Sequence, residues 1–264
     1  MVKNSAFVQK MAAHLDLAPD ALSVLPVAAG RRRSFPAGQD VIHQGPGTAR
    51  AYVLLEGWAC SYVLLSNGTR QIVSFHVPGD TLGLRSILFQ ESDHNVEAIT
   101  KIEVAEIMIN DVNDVFAHSP KLATAVLWTV SRDVAMVVAN LVRMGRSTAT
   151  ERVAFCLLEL GARLGEVGLT YGRGYTCPLT QYQLADALGL SAVHVNRVLR
   201  ELREVGLVTF QKNHVTFDDY EGLVALADFD EKFLSRTAPN DQWATPRHMP
   251  NRGTVNKNVH ANWM

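Results

Sequence analysis

The chain has 264 residues, 47% of them hydrophobic and 19% charged, with a formal net charge of −1. That composition supplies apolar material for more than one packed core and excludes wholesale disorder. The near-neutral balance gives no global attraction to nucleic acid, so a DNA-binding argument must rest on local pattern.

Residues 1–30 read as a short helical lead-in. From Arg31 to about residue 118 the texture is β-rich, with short runs at 51–55, 58–65, 70–77, 95–100 and 104–109. Turn glycines at Gly38, Gly45, Gly57, Gly68 and Gly79 punctuate them. This rhythm predicts an antiparallel sandwich or barrel. Asn67-Gly68 and Pro78-Gly79-Asp80 are the clearest turns, the first tolerating positive φ at both residues.

Residues 119–146 then read as one long helix. Ala123, Leu127, Val130, Val134, Val137, Leu141 and Met144 recur at steps of 4 and 3, an a/d seam held for three heptads. Such a seam either packs on its own β domain or pairs with a second copy. The strict 3.5-residue period favours a homodimer. Gly145–Ser147 reads as a hinge. Thr148-x-x-Glu151 is a capping box opening a helix over 149–164, and Gly165–Gly174 reads as a loop.

The most informative segment is 178–208. Thr180 caps a helix with Leu184, Ala185 and Leu188 inward. Gly189 closes it and Leu190 plugs the core. Ser191 caps a second helix with Val195, Val198, Leu199 and Leu202 inward. His194, Asn196, Arg197, Arg200 and Arg203 are left to point outward. Runs at 207–210 and 214–217 around Gln211-Lys212-Asn213 make a hairpin. The package is a winged helix-turn-helix, spanning 147–236 with its lead-in helix. Charge alone supports it weakly: residues 191–214 hold four Lys/Arg (197, 200, 203, 212) against two Glu (201, 204). The tail, 237–264, is rich in Asn and Pro with few aliphatics, and is expected to be disordered.

No uninterrupted apolar run approaches the ~18 residues of a membrane helix. Lys10, His14 and Asp16 break the N-terminal apolar stretch, unlike a secretory signal. A cytoplasmic protein without membrane association is expected. Cys60, Cys156 and Cys177 are scattered with no CxxC, and the nine histidines form no HExxH. Neither a disulfide framework nor a metal site is expected. Without a nucleophile elbow or a phosphate loop, no catalytic residues and no enzyme activity are expected. The alternative to a DNA-binding regulator is a ligand-binding or protein-interaction module with a merely structural helix-turn-helix.

In one order, Phe35–Gly45 (FPAGQDVIHQG), Tyr52–Trp58 (YVLLEGW), Val77–Gly83 (VPGDTLG), Val96–Ile107 (VEAITKIEVAEI) and Leu179–Leu202 (LTQYQLADALGLSAVHVNRVLREL) resemble the Crp/Fnr family. The resemblance covers about Arg31 to Asp228. It implies an α+β architecture: a jelly-roll, cyclic-nucleotide-binding-like sensor, a dimerisation helix and a winged helix-turn-helix. The function it implies is transcription regulation by a homodimer on a palindromic operator, with RNA polymerase as a candidate further partner. The DNA contacts it implies lie among Thr180, Ser191, Val193, His194, Asn196, Arg197, Arg200 and Lys212. Arg197 matches the family's DNA arginine and Ser191 its phosphate-contacting serine. The family's cytosine-reading glutamate falls at Val193 and another arginine at Ala192, so a different operator is expected, with Val193 against a thymine methyl. The effector pocket falls at Gly83, Leu84, Arg85 and Ser86. Leu84 stands where cyclic-AMP binders carry a glutamate, and Ser92-Asp93, with His94 nearby, stands where they carry Arg-Ser. An acidic neighbour is wrong for a phosphate, so cyclic AMP is not expected. An iron–sulfur cluster is not expected because no cysteine precedes Cys60. Haem is not expected either, although His43, His76 and Cys60 are available.

Overall fold

A computed structural model describes residues 6–14, 31–46, 50–230, 232 and 234. The expected tail, 237–264, and most of the lead-in lie outside these residues.

Helix α1 (Ala6–His14) comes first. The β-rich region contains β1 (Arg32–Phe35), β2 (Asp40–Ile42), β3 (Gly45–Pro46), β4 (Ala51–Glu56), β5 (Ala59–Leu64), β6 (Arg70–His76) and β7 (Thr81–Leu82). Helix α2 (Leu84–Phe89) precedes β8 (Glu91–Ser92), β9 (Asn95–Ala98) and β10 (Ile102–Ile107). Two antiparallel four-stranded sheets, β1-β10-β4-β7 and β2-β9-β5-β6, are joined by a β3-β8 ribbon. Phe35, Tyr52, Leu54 and Ile102 from one sheet meet Ile42, Ala59, Val96 and Ala98 from the other in one core. This filled sandwich is the expected jelly-roll.

Strand alternation explains why runs such as AYVLL are apolar on both faces. Tyr52 and Leu54 face the sandwich, while Ala51 and Val53 pack against Phe7, Val8 and Met11 of α1 and Leu122 and Ala125 of the long helix. The Asn67-Gly68 turn differs from expectation: the loop spans residues 65–69, only Gly68 has positive φ, and Asn67 Oδ1 accepts from the Thr69 amide. The last strand is also displaced, since Met108 already caps α3 (Ile109–His118).

The long helix α4 is Pro120–Arg146, as expected, with Ser119 as N-cap. One 18-residue window has a mean hydropathy of 1.5, so by length and composition this helix could cross a membrane. That qualifies the reading drawn from uninterrupted runs, because scattered small polar residues hardly lower the average. Its buried side is Leu122, Ala125, Thr129, Arg132 and Met136. The heptad seam does not pack on the sandwich: Leu127, Val134, Val137, Leu141 and Met144 are exposed, Ala123 and Val130 half-buried.

The hinge is narrower than expected. Gly145 is helical, and only Ser147 and Thr148 separate α4 from α5 (Ala149–Glu166). The Thr148–Glu151 capping box forms in both directions. Gly161 lies inside α5 because a Cβ there would sit 2.9 Å from the Phe217 ring. The segment read as a loop forms a hairpin, β11 (Thr170–Tyr171) and β12 (Gly174–Thr176). These strands extend the wing into the four-stranded sheet β11-β12-β14-β13.

Candidate nucleic-acid interface and interdomain junction

The helix-turn-helix is α6 (Gln181–Leu188) and α7 (Ala192–Glu204). Thr180 Oγ1 accepts from the Gln183 amide while Gln183 Oε1 accepts from the Thr180 amide, a capping box legible in T-x-x-Q. Gly189 terminates α6 at φ +63°, a left-handed position that favours glycine. Ser191 Oγ caps α7 through the His194 amide. Val195, Val198, Leu199 and Leu202 are buried, as the 3.6-residue period requires.

The first turns of α7 leave Ser191, Val193, Asn196, Arg197 and Arg200 exposed, with Val193 at 81%. His194 is half-buried rather than free, and Arg197 Nη2 donates to its Nε2 at 3.0 Å. Arg197 and Arg200 make long intrahelical ion pairs with Glu201 (3.6 Å) and Glu204 (3.7 Å). Exposed pairs of this kind contribute about 0.3–0.5 kcal/mol and release easily. The wing strands are β13 (Val208–Gln211) and β14 (His214–Phe217). Gln211 pairs with His214, so the turn is Lys212-Asn213 alone, both at positive φ, which suits a primed two-residue hairpin turn. Tyr171 stacks on His214 at 4.8 Å and bonds its Nδ1 at 2.8 Å, bracing the wing from the unforeseen hairpin. Helix α8 (Tyr220–Ala227) closes the domain. Tyr182, 75% exposed on α6, is a further surface group that the motif reading did not single out.

A second feature was not foreseen. Beneath α5 the two halves of the chain meet through buried charges. Asp80 of the Val77–Asp80 turn accepts from Lys10 Nζ and from Arg163 Nη2, both at 2.5 Å, and from the Val77 amide at 2.8 Å. Arg163 also donates to Glu159 (2.9 Å) and to the Phe75 carbonyl (2.9 Å). Arg132 of α4 pairs with Glu166 at 2.6 Å. Burial alone would raise the Asp80 carboxyl, but the Arg163 and Lys10 cations outweigh it and hold the group well below the usual carboxylate range. Burial lowers His76 to about 4 and raises Asp133 to about 6. Further out, Arg70 of β6 bonds Asp186 of α6 at 2.9 Å. The partners lie 70 and 83 residues apart in sequence, so no local pattern could have paired them.

The expected effector residues sit at the start of α2. Ser86 is buried, Leu84 half-buried, and Arg85 is ion-paired to Asp93 at 3.1 Å. Among the haem candidates, His43 is exposed near Asp40, His76 bonds Ser61 Oγ at 2.7 Å, and Cys60 is fully buried.

The profile described as "Cyclic nucleotide-binding domain" matches residues 32–119, and "Crp-like helix-turn-helix domain" matches 151–226. The nitrogen fixation regulation protein FixK of Rhizobium meliloti is 31% identical over 180 residues, 67% of this chain and 78% of its own. The chain belongs to the Crp/Fnr family. The anaerobic regulatory protein of Haemophilus influenzae is a second relative, 25% identical over 196 residues, 74% of this chain and 76% of its own. The solved structure of FixK2 from Bradyrhizobium japonicum superposes with a TM-score of 0.66 at 26% identity, covering 74% of this chain and 96% of that one. This Crp/Fnr protein is accordingly a DNA-binding transcription regulator, with a sensor sandwich, a long helix and a winged helix-turn-helix in one order.

Proposed function

We propose that the regulator acts as a homodimer paired along α4, reading a two-fold-related operator with α7 in successive major grooves about 34 Å apart. The observation that carries this is the exposed seam: Leu127, Val134, Val137, Leu141 and Met144 lie open along one face while the opposite face is buried. Pairing two copies would cover a stripe that a monomer leaves in water, which also accounts for the helix's hydropathy without a membrane. Arg197 reads a guanine edge, Val193 meets a thymine methyl, and His194 and Asn196 supply further base contacts. Ser191, Thr180, Arg200 and the wing-tip Lys212 approach phosphates. The sensor biases the two-residue hinge at Ser147–Thr148 and so the spacing of the two heads.

Cyclic AMP does not fit the start of α2, where Arg85 is already neutralised by Asp93. A four-thiolate iron–sulfur cluster does not fit the donor set. The chain has three cysteines in all, each buried, with burial pushing Cys60 and Cys177 up to about 12. The haem candidates His76 and Cys60 are committed to a hydrogen bond and to the core. The protein works in the cytoplasm, without catalysis, and meets RNA polymerase at its promoters.

Selection of bound sequences from a random DNA pool tests this reading. A two-fold-symmetric motif with half-sites one helical turn apart is expected. Enrichment of an unsymmetrical site overturns the dimer, and no enrichment with or without cell extract overturns operator binding.

A further inference from the structure

A cavity of about 280 Å³ lies where the sensor, the long helix and the DNA-binding domain meet. Its walls come from β6, the C-terminal half of α4, and α5 with the end of α6. Its volume is near the lower end of the ~300–1,000 Å³ of small-molecule pockets. Ile72, Phe75, Val137, Leu160 and Leu188 make most of the lining apolar.

The charged part of the lining is unbalanced. Arg143, Arg152 and Arg163 face it with a single carboxylate, Glu159. Arg163 is compensated by Asp80 and Glu159, and Arg143 pairs with Asp228 at 3.6 Å. Arg152 makes no ion pair among the described residues. Its Nη1 donates to the Leu188 carbonyl at 2.8 Å, while its Nε is buried without an acceptor. The Nε of Arg163, a residue only 2% exposed, is likewise without an acceptor. Buried guanidinium nitrogens are ordinarily paired, so two orphaned donors lining one cavity call for an acceptor within it.

We propose that this cavity binds a small monocarboxylate with a compact apolar body, its carboxylate accepting from Arg152 and its body lying against Ile72, Phe75 and Leu160. One uncompensated guanidinium matches one negative charge, and the apolar lining matches the body. Arg152 also holds the last carbonyl of α6, one residue before the Gly189 turn, so an anion on Nε acts on the guanidinium that fixes the helix-turn-helix. Val137, Leu141 and Met144 belong to both the cavity wall and the α4 seam. The ligand would therefore touch the dimer interface and the DNA-binding head together. The regulatory consequence rests on the reading of the chain as an operator-binding dimer; the binding itself does not.

Calorimetric titration of the full-length protein with phenylacetate and hexanoate, and with phenylacetamide as the neutral control, tests the site. Both acids are expected to bind saturably with Kd of about 1 mM or tighter, and the amide at least about tenfold more weakly. Arg152→Gln is expected to weaken the acids at least about tenfold. Because Arg152 also anchors α6, Ala187→Met is the second variant: it narrows the cavity with every charge in place and is expected to abolish binding while the melting temperature holds. Failure of both acids to bind wild type overturns the proposal, including the case in which a partner's helix fills the space. Wild-type affinity in Arg152→Gln, or in Ala187→Met, overturns it too. Operator affinity is measured on the same samples by fluorescence anisotropy, so a protein that binds DNA but no acid loses only this site. One that binds acid but no DNA loses only the operator reading.

Discussion

The exposed face of α4 and the buried junction under α5 invert the usual partition of side chains in opposite ways. The α4 face presents Leu127, Val134, Leu141 and Met144 to water, where polar residues are ordinary. The junction encloses Lys10, Asp80, Arg163 and Glu159, where apolar residues are ordinary. The junction is complete within one chain, because each of its charges finds an opposite partner at 2.5–2.9 Å. The α4 face is incomplete, because its apolar stripe has no cover. An apolar surface without a partner points outward to a second molecule, whereas a satisfied polar interior points inward to a fixed arrangement of domains.

The largest expected effect breaks the junction. Arg163→Met leaves Asp80 and Glu159 buried without their main cation. It is expected to cost about 3–5 kcal/mol of stability, read as a lowered melting temperature. A loss below about 1 kcal/mol would mean that the charges are hydrated and the contrast between the two regions is false. On the other side, Leu141→Asp is expected to leave the subunit's own fold within about 0.5 kcal/mol, since the residue is 69% exposed. Sedimentation should then show monomers, with operator affinity reduced more than tenfold, because an unpaired carboxylate in an apolar seam is strongly disfavoured. A variant that stays dimeric would place the interface elsewhere.

Arg197→Ala is expected to cost roughly 1–3 kcal/mol on the selected operator and little on unrelated DNA. Equal weakening on both would make Arg197 a phosphate anchor.

The smallest effect is on mild acidification and sharpens the account of the junction. His76, lowered by burial to about 4, stays neutral in the fold while the unfolded chain takes up a proton near 6.5. It therefore withdraws stability as pH falls from about 6.5 towards 4. Asp133, raised by burial to about 6, does the reverse: the folded carboxyl protonates first, so stability is gained as pH falls through 6. Asp80, held far below its ordinary value, acts only in stronger acid. Wild type is expected to have a nearly level melting temperature between pH 6.5 and 5, whereas Asp133→Asn should lose about 1 kcal/mol over that window. An equal decline in both proteins would show that Asp133 does not carry a raised value.

The helix-turn-helix was legible because each of its signals is local. A cap and the group it satisfies lie three residues apart, as at Thr180–Gln183 and Ser191–His194, and Gly189 terminates its own helix. The α4 seam was legible for the same reason, since its period is fixed by the helix alone. Three helices, α2, α3 and α8, escaped notice because they are short and their caps are weak signals. Met108 at the α3 cap, for example, offers no hydroxyl or carboxylate. The loop before the wing was misread because its strands are two and three residues long and become strands only by pairing with β14.

By itself the sequence determined the order of the elements, the ends of the long helix, which side of α7 faces out, and the family these features resemble. Periodicity, capping and turn geometry act over a few residues and are written into the chain directly. The tertiary structure decided which face of α4 is spent on the sandwich and which is left open. It also decided that Lys10, Asp80 and Arg163 share one site, and that a cavity with orphaned arginine nitrogens lies between sensor and DNA-binding head. These depend on contacts between residues 70 or more positions apart, whose meeting is set by packing rather than by any local pattern.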